Sequence, residues 1–187
     1  TAYASRALET CLIEKSIPYV FIGGRKLFEA AHVKDLLSTL RIVGNPRDEL
    51  GWMRYLMLWE GVGETTAAKA VALLTDITDI SQALEAVSNT SRIPPQALEV
   101  IETVATFDTV LDCLKASIQA LTPVLENAYK TQNWDKRVRD FPILERLAGK
   151  HSSVLEYLEA YVLEPLYQDE ADGADDDDVV TLITIHS

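Results

Sequence analysis

The sequence predicts a mainly α fold: a long helical body with one short strand before it and one after it. Three observations carry this. Apolar residues recur at intervals of three and four over most of residues 27–166, the period of helices that bury one face. Tyr19 to Ile22 is a short apolar run between Pro18 and Gly23-Gly24, the pattern of a buried strand. Val179 to Ile185 is rich in β-branched residues and has strand character.

The elements follow in order. Ala4, Leu8, Cys11 and Leu12 define one face of a helix ending near Ser16. Val33, Leu36, Leu37, Leu40 and Val43 form the next helical stripe, closed by Asn45-Pro46. Trp52, Tyr55, Leu56 and Trp59 form another, closed by Gly61, and helices over 65–74 and 80–87 follow. Pro94-Pro95 suits a helix's first turn, and the period resumes at Leu98 and Ile101 and again at Leu111, Leu114, Ile118 and Leu121. Thr122-Pro123 predicts an N-cap and first turn for a separate helix over 124–130. Trp134, Val138, Phe141, Leu144 and Ala148 make one stripe. Ser153 with Glu156 is a capping box opening a helix over 154–163, with Pro165 beyond it. No internal repeat is visible.

Composition narrows the function classes. The 187 residues are 48% hydrophobic, enough for one ordinary domain that folds without disulfides or metal. No stretch approaches 18 consecutive apolar residues, so no membrane span is expected. No leader is visible and the two cysteines, Cys11 and Cys113, are far apart, so both are expected as small buried hydrophobes of a cytoplasmic protein. The net charge of −12 is misleading, because Asp169, Glu170, Asp172 and Asp175 to Asp178 supply seven of the acids. Without that solvated run the body is only mildly acidic, which argues against a general nucleic-acid coat but permits a local contact. The start at Thr1 and the terminal strand-like run suggest a piece of something larger.

The segment with chemical meaning is Leu58-Trp59-Glu60-Gly61-Val62-Gly63-Glu64-Thr65-Thr66-Ala67. An amphipathic helix runs into Gly-Val-Gly and then into a second helix rich in small residues. The glycines allow a tight turn and close backbone approach, and the second helix offers free N–H groups and its positive dipole end. Val62 is expected to point inward and pin the two helices. Gly61, Val62, Gly63, Thr65 and Thr66 thus form a helix-hairpin-helix pattern suited to a duplex phosphate, although a plain glycine turn has the same spacing. Lys34 and Arg41, two turns apart on one helix face, are candidate second phosphate contacts or an ordinary solvated face.

Self-contained catalysis finds no support. Gly23-Gly24-Arg25-Lys26 only echoes a phosphate loop, and His32, His151 and His186 lack metal-ligand spacing. No nucleophile–base arrangement can be argued, and Glu156/Glu159 reads as a solvated face.

Ser5-Arg6-x-Leu8-Glu9, Ile17-Pro18-Tyr19-Val20-x-x-Gly23-Gly24, Phe28-Glu29, Val33-Lys34-Asp35, Leu40-Arg41-Ile42 and Asn45-Pro46-x-Asp48 resemble, in order and spacing, UvrD/Rep-like superfamily 1 DNA helicases. Thr181 to Ser187 resembles the start of their motif V, and Trp134 through Pro165 the last helices of their accessory subdomain. Residues 75–130 match only in helical character. The resemblance implies that 1–24 and 179–187 are pieces of the RecA-like domain 2A, that 25–166 is the helical 2B accessory subdomain, and that 167–178 is an acidic loop. It implies duplex contacts at Gly61 to Thr66, Lys34 and Arg41, and single-strand contacts at Thr184 and His186. ATP and Mg²⁺ would belong to the parent helicase, with no cofactor in this piece, and domains 1A, 1B and 2A would be its partners. One departure is Glu60, where many relatives carry a base.

Two other classes remain open on the residues alone. Gly-Val-Gly-x-x-Thr-Ala also resembles the hairpin of DNA-repair glycosylases, but Thr65 stands where many of them carry a catalytic lysine. A helical protein-interaction adaptor would suit the acidic charge.

Overall fold

A computed structural model describes residues 2–22, 27–163 and 180–183. The expected strands meet. β1 (Tyr19–Ile22) runs parallel to β2 (Val180–Ile183), with Tyr19 opposite Val180 and Ile22 opposite Ile183. The Val180 N–H donates to Pro18 O at 3.1 Å and opens the ladder. Parallel strands cannot be joined by a tight turn and need a long crossover. Here the chain between them contains the whole helical body.

The body is built around α2 (Ala31–Gly44), which packs against α3 (Glu49–Leu56), α6 (Pro95–Val104), α7 (Val110–Tyr129) and α10 (Val154–Leu158). Val33, Leu36, Leu37, Leu40 and Ile42 are all buried. With neighbours on several sides, α2 must also bury polar residues, and each needs an acceptor or donor. Ser38 Oγ donates to Asp35 O at 2.5 Å, and Thr39 Oγ1 reaches Ser117 Oγ on α7 at 2.8 Å. α4 (Glu64–Val71) and α5 (Ile80–Ser88) extend the bundle beyond α3. No helix among the described residues is long and apolar enough to cross a membrane.

Several local expectations need correction. In α1 (Ala2–Glu14) the expected apolar face is only partly covered: Leu8 is 56% exposed and Cys11 is exposed, Leu12 is half-buried against the core, and Glu9, Thr10 and Ile13 are buried. The buried side is set by Glu9, whose Oε1 accepts from Tyr19 Oη at 3.0 Å and Leu27 N–H at 2.8 Å, and whose Oε2 accepts from Arg6 at 2.7 Å. A fully satisfied carboxylate can be buried where an unpaired one could not. Cys113 is buried as expected; Cys11 is not.

Pro123 does not start a helix. It lies inside α7, whose buried Leu121, Leu125 and Tyr129 continue one stripe across it. Burial of that stripe outweighs the proline's local preference. Further on, the single stripe expected from Trp134 to Ala148 is broken into α8 (Trp134–Arg137), a 3-10 turn (Val138–Asp140) and α9 (Phe141–Ala148). Pro142 has no N–H to offer Val138 O, which instead accepts from the Phe141 N–H.

The helix expected over 154–163 is also divided, into α10 and a π-helical turn (Glu159–Leu163). Ser153 caps it as predicted, accepting from Glu156 N at 3.2 Å. The reciprocal arm is displaced by one residue, since the Glu156 carboxylate takes Ser152 N and Oγ, each at 2.8 Å.

Candidate nucleic-acid interface

The Gly-Val-Gly segment folds as a turn between two packed helices. After α3 the chain tightens, with Leu58 N–H bonding Tyr55 O and Trp59 N–H bonding Leu56 O, each at 3.2 Å. Gly61 then takes φ +81°, a left-handed conformation that costs glycine little and a side chain more. Val62 is 6% exposed and joins the core, pinning α3 to α4 as expected. The α4 residues against that core are Ala67, Ala70 and Val71, small enough for the two helices to lie close.

Gly63 is the N-cap of α4, in extended conformation, and no side chain caps the helix. Its carbonyl accepts from Thr66 N and Ala67 N, each at 3.0 Å. The N–H groups of Glu64 and Thr65 therefore have no acceptor among the described residues and face an exposed surface. A Cβ at either Gly61 or Gly63 would meet nothing within 4 Å. The fold itself leaves room at Gly63 for a side chain, and the space in front of the amides is open. Two acids, Glu60 and Glu64, stand exposed on either side of the glycines.

Lys34 and Arg41 do share a face of α2, and both line a groove of about 660 Å³ with Gly51, Arg54, Met57 and Leu58. The hairpin residues Gly61 to Thr66 do not line it. Lys34 is exposed. Arg41 is committed: Nε donates to Asp48 Oδ2 at 2.6 Å and Nη2 to Asp48 Oδ1 at 3.0 Å. Asp48 in turn caps α3 by accepting from Gly51 N at 2.9 Å. Gly51 has a packing role here, since a Cβ would lie 3.1 Å from the Asp48 carboxyl and 3.3 Å from Arg41 Cβ.

Arg54 is a groove cation that the sequence did not single out. Its Nη1 donates to Asp35 Oδ1 at 2.5 Å, and Tyr129 Oη donates to Asp35 Oδ2 at 2.5 Å. Burial first, and then the hydrogen bond to the Asp35 carboxylate, push the Tyr129 phenol well above its ordinary range. Arg54 and Tyr129 come from α3 and α7, so only packing brings them to Asp35. No spacing signal could have found them. Thr184 and His186, expected beside a single strand, lie outside the described residues, as does the acidic run 167–178. Among the described residues, no cluster of three or more His, Cys, Asp or Glu side chains could hold a metal ion.

Residues 1–90 match the family described as the UvrD-like helicase C-terminal domain. That span includes α2, α3, the Gly-Val-Gly turn and α4. Among curated proteins, the chain is 35% identical over 66 residues to an ATP-dependent DNA helicase PcrA of Staphylococcus epidermidis, covering 35% of this chain and 9% of the relative. It is 36% identical over 66 residues to the ATP-dependent DNA helicase PcrA of Staphylococcus aureus, with the same coverage. The aligned part thus spans about a tenth of the length of these relatives. Over residues 1–90 the chain is thus similar to part of a UvrD-like helicase C-terminal domain, and over 66 residues to ATP-dependent DNA helicases.

Proposed function

We propose that the chain serves as the duplex-contacting accessory part, the 2B subdomain, of an ATP-dependent DNA helicase. The observation that carries this is the α4 N-terminus: unpaired Glu64 and Thr65 amides, glycines on either side of a buried Val62, and open space in front. Such a terminus accepts an anion through backbone N–H groups and the helix dipole, and a phosphate can come close because neither glycine presents a side chain. Lys34 in the neighbouring groove adds an exposed cation that has no ion pair among the described residues. Arg41 adds field more than contact, because Asp48 already occupies its guanidinium.

The parallel β1–β2 pair supports the domain reading. A helical body leaving and rejoining a sheet at adjacent strands has the form of an insertion, with 1–24 and 179–187 as the 2A flanks and 25–166 as 2B. ATP and Mg²⁺ would be handled by other parts of the parent protein. This sequence has no phosphate loop, and the described residues hold no carboxylate cluster for the metal, so no step of hydrolysis is assigned to it. Domains 1A, 1B and the rest of 2A are its proposed partners, in the cytoplasm. Thr184 and His186 remain proposed single-strand contacts.

The test is a titration of labelled duplex at low salt. Two neutralised phosphates give a shallow salt slope, on the order of −2, and affinity near the weak end of non-specific binding, about 10⁻⁴ M at physiological salt. Phosphates carry no base information, so binding is independent of sequence. Gly63→Leu places a side chain over the amides without disturbing the fold and abolishes the interaction. Duplex binding indifferent to Gly63→Leu would reduce the hairpin to a structural turn.

A further inference from the structure

A second charged surface lies away from the hairpin, where α1 meets α8, the 3-10 turn and α9. A cleft of about 1190 Å³ opens there. Its lining includes Arg6, Lys136, Arg137, Arg139 and Arg146, against Asp140 as the one carboxylate. In a chain with 29 acids and 17 bases, five of those bases converge on one concavity. Charge of one sign in a concave, partly desolvated wall focuses the field on an incoming anion.

The cations are of two kinds. Arg6, Arg137 and Arg146 are held in place by the protein. Arg6 Nε lies 3.6 Å from Asp140 Oδ1, and Arg146 Nε lies 2.7 Å from Glu14. Arg137 lies over the Tyr129 ring at 4.5 Å, with its Nε and Nη2 on Gln132 O and Oε1 at 3.0 Å each and Nη1 3.0 Å from His32 Nδ1. Lys136 and Arg139 are exposed, and their side chains have no ion pair or hydrogen bond among the described residues. Lys136 from α8, Arg139 from the 3-10 turn, and Ile143 and Arg146 from α9 all line the cleft.

We propose that this cleft binds the phosphate backbone of a single nucleic-acid strand. The ten residue steps from Lys136 to Arg146 span roughly 15–17 Å, the length of about four or five stacked nucleotides at 3.4 Å each. A mononucleotide or free phosphate would reach only one or two of these cations. The cleft is only slightly larger than a small-molecule pocket, room for a strand and not a duplex. Planar guanidinium forks match phosphate oxygens in pairs, and four of the five cations are arginines. The choice of nucleic acid over another polyanion rests on the helicase reading above.

The test uses the full chain and a labelled twelve-residue oligothymidylate at low salt. Lys136→Gln with Arg139→Gln removes the two unpaired, exposed cations, and the melting temperature serves as the folding control. The double variant should bind the strand about tenfold more weakly, with the salt slope shallower by roughly 1.4, the value for two phosphates of a single strand. Unchanged affinity and slope would overturn the proposal. So would displacement of the strand by thymidine monophosphate or inorganic phosphate at equal phosphate concentration, which marks a small-anion pocket. Gly63→Leu run in parallel separates the two sites. It should spare strand binding, and loss of strand binding in that variant would place the strand at the hairpin and overturn the cleft. Intact duplex binding in Gly63→Leu removes the hairpin reading alone.

Discussion

Arg41 and Asp48 form a two-point pair, Nε to Oδ2 at 2.6 Å and Nη2 to Oδ1 at 3.0 Å, and the same carboxylate caps α3. The pair joins α2 to the start of α3, the helix that leads into the Gly-Val-Gly turn. Arg41 therefore has a structural duty that limits its availability to a phosphate. Its side chain is 25% exposed and that of Asp48 14%, so solvent screens the pair only in part.

Two substitutions separate the duties. Arg41→Ala should destabilise the fold by about 1–2 kcal/mol, since it leaves a partly buried carboxylate short of its partner. Asp48→Asn keeps a good N-cap but loosens the grip on Arg41. It should cost less stability and should raise duplex affinity by freeing a cation. Thermal melts and duplex titrations of both variants check this, and weaker duplex binding by folded Asp48→Asn would rule out Arg41 as a latent contact.

What was legible in the sequence was local. The Gly61 to Thr66 turn could be read because glycine spacing, an inward valine and a small-residue helix all lie within ten residues. The common face of Lys34 and Arg41 followed from helical period alone. What neighbouring elements decide was not legible. Asp48, seven residues after Arg41, was visible as part of a motif but not as its captor, which depends on how α3 folds back on α2. The α1 face was not legible because periodicity identifies an apolar stripe without saying what covers it. Glu9 won the buried side by collecting Arg6, Tyr19 and Leu27. At Pro123 a strong local rule lost to a continuous buried stripe, whereas at Pro142 the same rule held.

The α10 cap predicts a pH dependence. Hydrogen bonds from Ser152, backbone first and then hydroxyl, hold the Glu156 carboxyl below its ordinary value of 4.5, with His151 adding to the effect. A carboxyl group with a depressed folded pKa stabilises the fold above its unfolded pKa and loses that contribution as pH falls through the folded value. Glu156→Gln should therefore lower the melting temperature slightly at pH 7, and the difference from the parent should narrow once pH falls below the ordinary glutamate value and close as pH falls through the lowered folded value. A gap that persists unchanged at pH 3 would assign the effect to packing and not to charge.

The last prediction concerns the acids beside the hairpin. Glu60 and Glu64 are both exposed and flank the unpaired amides. Glu64 sits in the first turn of α4, where an acid complements the helix dipole in the absence of a ligand. Glu60 precedes the turn and has no such compensation; its charge acts mainly against an approaching phosphate. Glu60→Lys changes the local charge by two units on an exposed side chain and should leave the melting temperature within about 1 °C, because surface substitutions of this kind are near neutral. Duplex affinity at low salt should rise by about tenfold, and the salt slope should steepen by roughly 0.9, one added phosphate contact. Glu64→Lys should gain less binding for the same change in charge, since it also places a cation at the positive end of α4 and weakens the helix. Equal gains from both substitutions would point to a diffuse field over the whole surface, and no gain from either would place the duplex elsewhere.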